Sequence, residues 1–309
     1  MPSETPNSKI SATLNYRFLS LVTMQSFKVK AGLFLAVFLW ASAFVGIRIG
    51  LTSYTPGSLA LFRFLIASLC MVVVYLRQSS CQKIPWSDRL QLGLLGVAGI
   101  GVYNTCLNYG EQTISAGVAS FVIGLAPALT VLFAVLFLKE RPSRTVYCGI
   151  LISLAGLALM VMPDSEGATL SYGVLIIFIA ALTSAAYSLL QKPYLRHYHP
   201  VAVTAWIIWG GTLSMMIFAP TLWREFFVAR PQATWAVVYL GIFPAALAYL
   251  AWSYVLKALS ASSASMYLYS MPVISSLLGL FILHEQPTKL SMCGGFLTMV
   301  GAFYASRSR

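Results

Sequence analysis

From residue 31 onward the chain is a train of long apolar runs separated by short polar breaks. The runs fall near 31–51, 57–76, 90–109, 114–138, 145–162, 171–190, 201–219, 233–256, 262–283 and 289–306. The breaks concentrate Pro, Gly and charge, as in Tyr54–Gly57, Arg141–Ser143, Pro163–Gly167 and Glu285–Thr288. A helix needs roughly 20 apolar residues to cross a bilayer, and hydrocarbon offers no partner to open backbone. Each run therefore predicts one transmembrane helix. The expected fold is an all-α integral membrane protein of ten transmembrane helices behind a polar N-terminal tail, residues 1–27. That tail lacks the apolar core and small-residue cleavage site of a secretory signal. Met24, just before the first run, is an alternative translation start.

Composition narrows the class. Only 9% of residues are charged and 59% are hydrophobic, against about 25% charged in soluble domains. This excludes a cytosolic enzyme, a disordered chain and a secreted disulfide scaffold. The net charge of +12 is an orientation signal. With ten spans and the N-terminus inside, fifteen Lys and Arg fall on inner segments. Three (Arg224, Arg230, Lys289) fall on outer ones, and two (Arg48, Arg63) lie within spans. The positive-inside rule then puts both termini in the cytoplasm of a cell whose inner membrane holds the protein, and leaves no reason to expect nucleic acid. The five cysteines form no CxxC pair and the three histidines are scattered, so no metal or cofactor is expected.

The chain also repeats itself. Shifted by 145 residues, Ser115-Ala116 falls on Ser260-Ala261, Ser120 on Ser265, Pro127 on Pro272, Glu140 on Glu285, Pro142 on Pro287, Gly149 on Gly294 and Gly156 on Gly301. Shifts of 142 to 145 align Ser42 with Ser184, Tyr54 and Pro56 with Tyr198 and Pro200, and Gly96 with Gly241. The expected division is a first five-helix repeat over 28–163 and a second over 164–309. An odd number of spans per repeat inverts the second relative to the first, an architecture of secondary transporters whose site lies near the midplane between the halves.

The residues that carry these repeats resemble the EamA-type branch of the drug/metabolite transporter superfamily. They are Trp40–Phe44 (WASAF), Leu61–Phe64 (LFRF), Ser115–Ser120 with Pro127, and Leu138–Pro142 (LKERP) with Gly149 and Gly156. The second copy gives Ser260–Ser265 with Pro272, and His284–Pro287 with Gly294 and Gly301. The resemblance covers residues 30 to 306 or so. It implies gradient- or proton-coupled movement of small metabolites, often amino acids, across a bacterial inner membrane.

Candidate site residues follow from polarity inside apolar runs. Pro127 and Pro272 are expected mid-span, where a proline removes a backbone hydrogen bond and kinks the helix. Ser120 shares a face with Pro127, and Ser265 and Tyr269 share one with Pro272. Asn104 and Asn108 lie four residues apart on the third run, with Tyr249 and Ser253 as their images beside Trp252. Intramembrane amides need a partner or a wet cavity, while Tyr249 and Trp252 offer an aromatic wall. Ser184 and Tyr187 form a stripe on the sixth run matching Ser42. Arg63 lies inside the second run, and Glu111 is a plausible partner for it or for Arg48, as a gating ion pair; Arg63 is alternatively a contact for a substrate carboxylate. Glu140 and Glu285 read as hairpin architecture, each followed by a helix-breaking proline and a Ser or Thr that can cap the next helix.

No Asp, Glu or His occupies the middle of a run, so a proton, if it couples transport, would use Glu111. The reading is a transporter of a small polar metabolite, an amino acid or derivative, working as an exporter by alternating access. The alternative is import or export of a cationic or aromatic compound such as a quaternary amine, a drug or a nucleotide-like metabolite. A lipid-modifying enzyme lacks its paired carboxylates or metal motif, and a scaffold would not need two halves.

Overall fold

A computed structural model describes residues 6–78, 83–112, 119, 122–139, 141–161, 172–282 and 288–306. Helix α1 runs Pro6–Gly50 and α2 Pro56–Arg77. The third span is α3 (Trp86–Gly96), a π-helical turn (Val97–Val102) and α4 (Tyr103–Gly110). Then come α5 (Ala126–Leu138) and α6 (Arg144–Val161). The second half opens with α7 (Tyr172–Leu190), α8 (Lys192–His197) and α9 (Pro200–Ser214), followed by a 3-10 turn (Met215–Phe218) and α10 (Ala219–Phe226). Next is α11 (Pro231–Leu240), a π-helical turn (Gly241–Leu247) and α12 (Ala248–Ala258). Short α13 (Ala261–Ser265), a 3-10 turn (Met266–Ser270), α14 (Met271–Ile282) and α15 (Lys289–Ser306) complete it.

Among the described residues, seven helical spans are long and apolar enough to cross a membrane: Phe27–Gly50, Pro56–Arg77, Trp86–Gly110, Tyr172–His197, Pro200–Phe226, Pro231–Ala258 and Ala261–Ile282. Three shorter apolar helices, Ala126–Phe137, Arg144–Leu159 and Met292–Ala305, fall in the fourth, fifth and tenth expected runs. Two spans outrun their expected ends. Helix α7 passes into α8 across Gln191 because Pro193 takes an N-terminal position of the new helix, where its missing N–H costs nothing. Lys192 then donates to the carbonyls of Leu256 and Leu259, closing the C-terminal end of α12.

The prolines expected to kink continuous helices do something else. Pro127 is the second residue of α5, after a turn at Gly124–Leu125, and Pro272 is the second residue of α14, after the 3-10 turn. At such positions proline starts a helix at no hydrogen-bond cost. The span of Pro127 turns at Gly124–Leu125, whereas Ala261–Ile282 stays one helical span that passes from 3-10 to α just before Pro272.

Helices meet through small residues, as membrane packing requires. On α6, Gly149, Ser153 and Gly156 face Gly301, Thr298 and Gly294 on an antiparallel α15; a Cβ at Gly156 would stand 2.4 Å from the Thr298 nitrogen. The seam is reciprocal: Ser153 Oγ donates to the Thr298 carbonyl (3.1 Å) and Thr298 Oγ1 to the Ser153 carbonyl (3.4 Å). A second reciprocal contact seats each third span on the opposite half. A Cβ on Gly96 would lie 1.9 Å from the Ile207 carbonyl oxygen, and one on Gly241 would lie 2.8 Å from that of Arg63. A third joins bundle ends: Tyr54 OH meets Thr234 Oγ1 at 2.8 Å, and Tyr198 OH donates to Asp88 Oδ2 at 2.6 Å. Most buried apolar side chains form one core around α1, α2, α4, α7, α9 and α12, with a smaller cluster beside α5, α6 and α15.

A candidate substrate cavity between the halves

The core encloses a cavity of about 850 Å³, open mouth included, walled by α1, α2, the first π turn, α4, the start of α5, α7, α12 and the start of α14. Its polar side comes from the first half. Arg63, on α2 and 3% exposed, donates from Nη1 to Asn104 Oδ1 at 3.2 Å. Asn104 returns its amide to the Ile100 carbonyl at 2.9 Å, inside the π turn. A π turn shifts the helical register by one residue and so leaves carbonyls for side chains to satisfy. The Nε of Arg63 has no hydrogen-bond partner among the described residues.

An aromatic wall centred on Tyr249 adjoins this polar side, with the Arg63 guanidinium 5.3 Å from the Phe64 ring centre. Trp40 meets Tyr249 edge-on at 5.3 Å, Tyr187 at 5.7 Å and Phe64 at 6.0 Å, while Trp252 packs behind Trp40 at 5.3 Å. These separations suit edge-to-face aromatic pairs. Trp40 also donates from Nε1 to the Pro244 carbonyl in the second π turn (3.1 Å). Gly99 lets Tyr187 lie against the first π turn, since a Cβ there would come within 2.6 Å of the Tyr187 Cβ.

Of the residues singled out from sequence, Arg63, Asn104, Pro127, Ser184, Tyr187, Tyr249 and Pro272 line this cavity. Others sit elsewhere. Ser42 bonds Tyr239 OH at 2.7 Å and its own helix. Asn108 donates to the Pro56 carbonyl at 3.0 Å and ties α4 to the start of α2. Trp252 is fully buried behind the wall. Ser265 bonds the Ser262 carbonyl, and Tyr269 belongs to the smaller core cluster. Ser120, Glu140 and Glu285 lie outside the described residues. Sequence reading did not assign Trp40, Phe44, Ile47, Leu268 or Met271 to the wall. Their apolar character is shared with every packing face, so only the fold distinguishes them.

Glu111 follows α4 by one residue and shares the Asn104–Asn108 face, seven residues or about 10 Å along the axis from Asn104. Both its carboxylate oxygens are shielded and without a hydrogen-bond partner among the described residues. Burial pushes its carboxyl up to about 8, with the charges of Arg48 and then Arg63 pulling the other way. A polar counterpart on the other half forms a chain: Thr204 donates to Ser253 (2.7 Å), which donates to Gln191 (3.3 Å). Among the described residues no group of three or more His, Cys, Asp or Glu could hold a metal.

The model of the EamA-like transporter family matches residues 30–162 and again 171–307. The uncharacterized transporter YdfC of Bacillus subtilis is 37% identical over 274 residues, covering 87% of this chain and 88% of that one. A protein of Streptantibioticus cattleyicolor named "Probable terminal-alkyne amino-acid exporter" is 30% identical over 288 residues, covering 92% and 95%. The uncharacterized inner membrane transporter YedA of Escherichia coli K12 is 28% identical over 271 residues, 84% of each chain. A crystal structure at 22% identity shares the fold, with a TM-score of 0.74 over 90% of this chain and 96% of that one.

Proposed function

Because this chain belongs to the EamA-like transporter family of multi-pass membrane proteins, we propose that it moves a small polar metabolite, an amino acid or derivative, through the cavity between its halves. The two halves form inverted five-helix repeats, and alternating access exposes the cavity to each side in turn. One observation carries this reading: the cavity is walled from both halves, with Pro127 and Pro272, equivalent in the repeat, on its lining. The antiparallel, reciprocal seam of α6 with α15 is what an in-plane two-fold axis produces. The turn before Pro127 and the 3-10 stretch before Pro272 supply the hinge, because both interrupt regular α-helical hydrogen bonding. The fifteen-to-three split of basic residues supports cytoplasmic termini in an inner membrane. The relative named an amino-acid exporter supports both the substrate class and the direction.

The aromatic wall around Tyr249 favours a second reading, a cationic or aromatic substrate held by ring faces. Counterflow in proteoliposomes separates the two. Vesicles preloaded with pooled unlabelled amino acids accumulate labelled amino acid if the first holds, and Asn104→Ala abolishes the signal. Accumulation only from a choline-like or drug pool replaces the substrate class, and silence with every pool ends the transport reading.

A further inference from the structure

The cavity's polar groups are unevenly spent. The Asn104 carbonyl is taken by Arg63 and its amide by Ile100. Two donors remain. Arg63 Nε and the Tyr187 hydroxyl have no hydrogen-bond partner within bonding geometry among the described residues. Both side chains are at least nine-tenths buried and both line the cavity. Among the described residues, the lining contains no Asp or Glu. A guanidinium keeps its charge wherever it is buried, and a neutral amide does not balance it. The site therefore offers donors and positive charge to whatever enters, and offers little that accepts.

We propose that Arg63 is the receptor for a substrate carboxylate, so that the cavity takes monocarboxylates with an apolar body, amino acids among them, and rejects cations. This rests on the cavity being the transport site. The planar fork of Arg matches a carboxylate through two parallel hydrogen bonds. Phe44, Ile47, Leu107, Ile123, Leu268 and Met271 provide the apolar surround for the remainder of the molecule. Position 207, which matches Arg63 under a 144-residue shift, is Ile. The charge is one-sided, so the carboxylate points to the first half and the body to the Tyr249 wall. A substrate ammonium is tolerated there through ring faces and the Ser184 hydroxyl, but it is not required. The aromatic wall by itself would welcome a quaternary amine; Arg63 beside it is the element that turns one away.

Equilibrium binding to the purified full chain in detergent tests this. Labelled L-leucine and L-phenylalanine serve as probes, competed by their deaminated acids (isocaproate, hydrocinnamate), their amides and tetraethylammonium. The acids compete with or without the amino group, whereas the amides and tetraethylammonium do not. Arg63→Gln weakens binding by roughly 10- to 100-fold, the worth of a charge-assisted pair, and Arg63→Lys recovers part of it. The competitor series needs only the wild-type protein, so a misfolded variant does not blunt the test. Amides or tetraethylammonium binding as tightly as the acids overturn the proposal and leave transport standing. So does the absence of carboxylate binding in a protein whose counterflow moves another compound class. Silence in both assays removes the transport reading with it.

Discussion

The two third spans, Trp86–Gly110 and Pro231–Ala258, share a backbone and differ in chemistry. Both open with a short α-helix and pass through a π turn at matching positions, Val97–Val102 and Gly241–Leu247. Each seats a glycine, Gly96 or Gly241, against a backbone carbonyl on the second span of the opposite half. Beyond the π turn they part. The first carries Asn104, bound to Arg63; the second carries Tyr249, the hub of the aromatic wall. A π turn costs helix regularity and persists where a site uses it. The two spans thus share the backbone shape that borders the cavity, and their side chains differ: an amide on Arg63 in one, an aromatic hub in the other.

The shared backbone is where the comparison is easiest to break. Gly96→Ala puts a methyl 1.9 Å from the Ile207 oxygen, whereas at Gly241 the nearest atom is the Ile66 Cβ at 2.6 Å. Neither neighbour is the free end of a flexible chain, so overpacking of about 1–3 kcal/mol or more is expected at both, with Gly96 the worse. Thermal unfolding in detergent and folded yield report it. A Gly96→Ala protein as stable as wild type would refute the seating.

A smaller effect separates the aromatic hub from the amide. Tyr249→Ala removes the shared partner of three aromatic neighbours at a cost of about 3 kcal/mol, while Tyr249→Phe keeps the ring and stays within about 1 kcal/mol. Asn104→Ala and Asn108→Ala then divide by function. Asn108 ties α4 to Pro56 outside the cavity wall, so its loss costs about 1 kcal/mol of stability and leaves counterflow intact. Asn104 touches Arg63 on the wall, so its loss stops counterflow. Equal counterflow from the two variants would dissolve that division.

Much of this was legible in the chain. The apolar runs place the helices because lipid demands length, and the repeat register anticipates which glycines and prolines correspond. Asn104, Tyr187, Ser184 and Tyr249 stand out because polarity inside an apolar run has to face something. At Ser42 and Ser265 a nearby hydroxyl or carbonyl takes the side chain off the cavity wall, and the Asn108 amide goes to the Pro56 carbonyl. The same rule is silent on Trp40, Phe44 and Met271, since an apolar side chain facing a cavity reads like one facing lipid. Pro127 and Pro272 mark irregular backbone in advance, while the π turns at Val97–Val102 and Gly241–Leu247 have no comparable signal in the sequence.

The bundle ends sharpen the comparison further. Tyr198 donates to a carboxylate, Asp88, and that bond raises the Tyr198 hydroxyl above its ordinary range. Tyr54, its equivalent, meets only the Thr234 hydroxyl. Charge-assisted bonds are roughly twice as strong as neutral ones, so Tyr198→Phe opens its end more than Tyr54→Phe opens the other. Cysteine labelling from each side of the membrane measures it, and equal labelling would mean neither bond holds an end closed.

The finest difference is a carboxyl that has no image in the second half: position 256, matching Glu111 under the 145-residue shift, is Leu. Glu111 sits between Arg48 and Arg63, and burial pushes its carboxyl up to about 8 against the pull of both. A carboxylate docked on Arg63 cancels part of that pull, so the bound state holds the Glu111 proton more tightly than the empty one. Linkage then fixes the sign: binding takes up a proton, and affinity rises as pH falls from the bound-state value toward about 8, then levels off below it. The change is modest, a few-fold over the window, because Glu111 acts on the substrate only through Arg63. Glu111→Gln flattens the profile and keeps binding at the low-pH plateau. Proton uptake that survives in Glu111→Gln would assign the linkage to another group. Uptake confined to the wild type would assign the linked proton to Glu111, because its carboxyl is the group that the substitution removes.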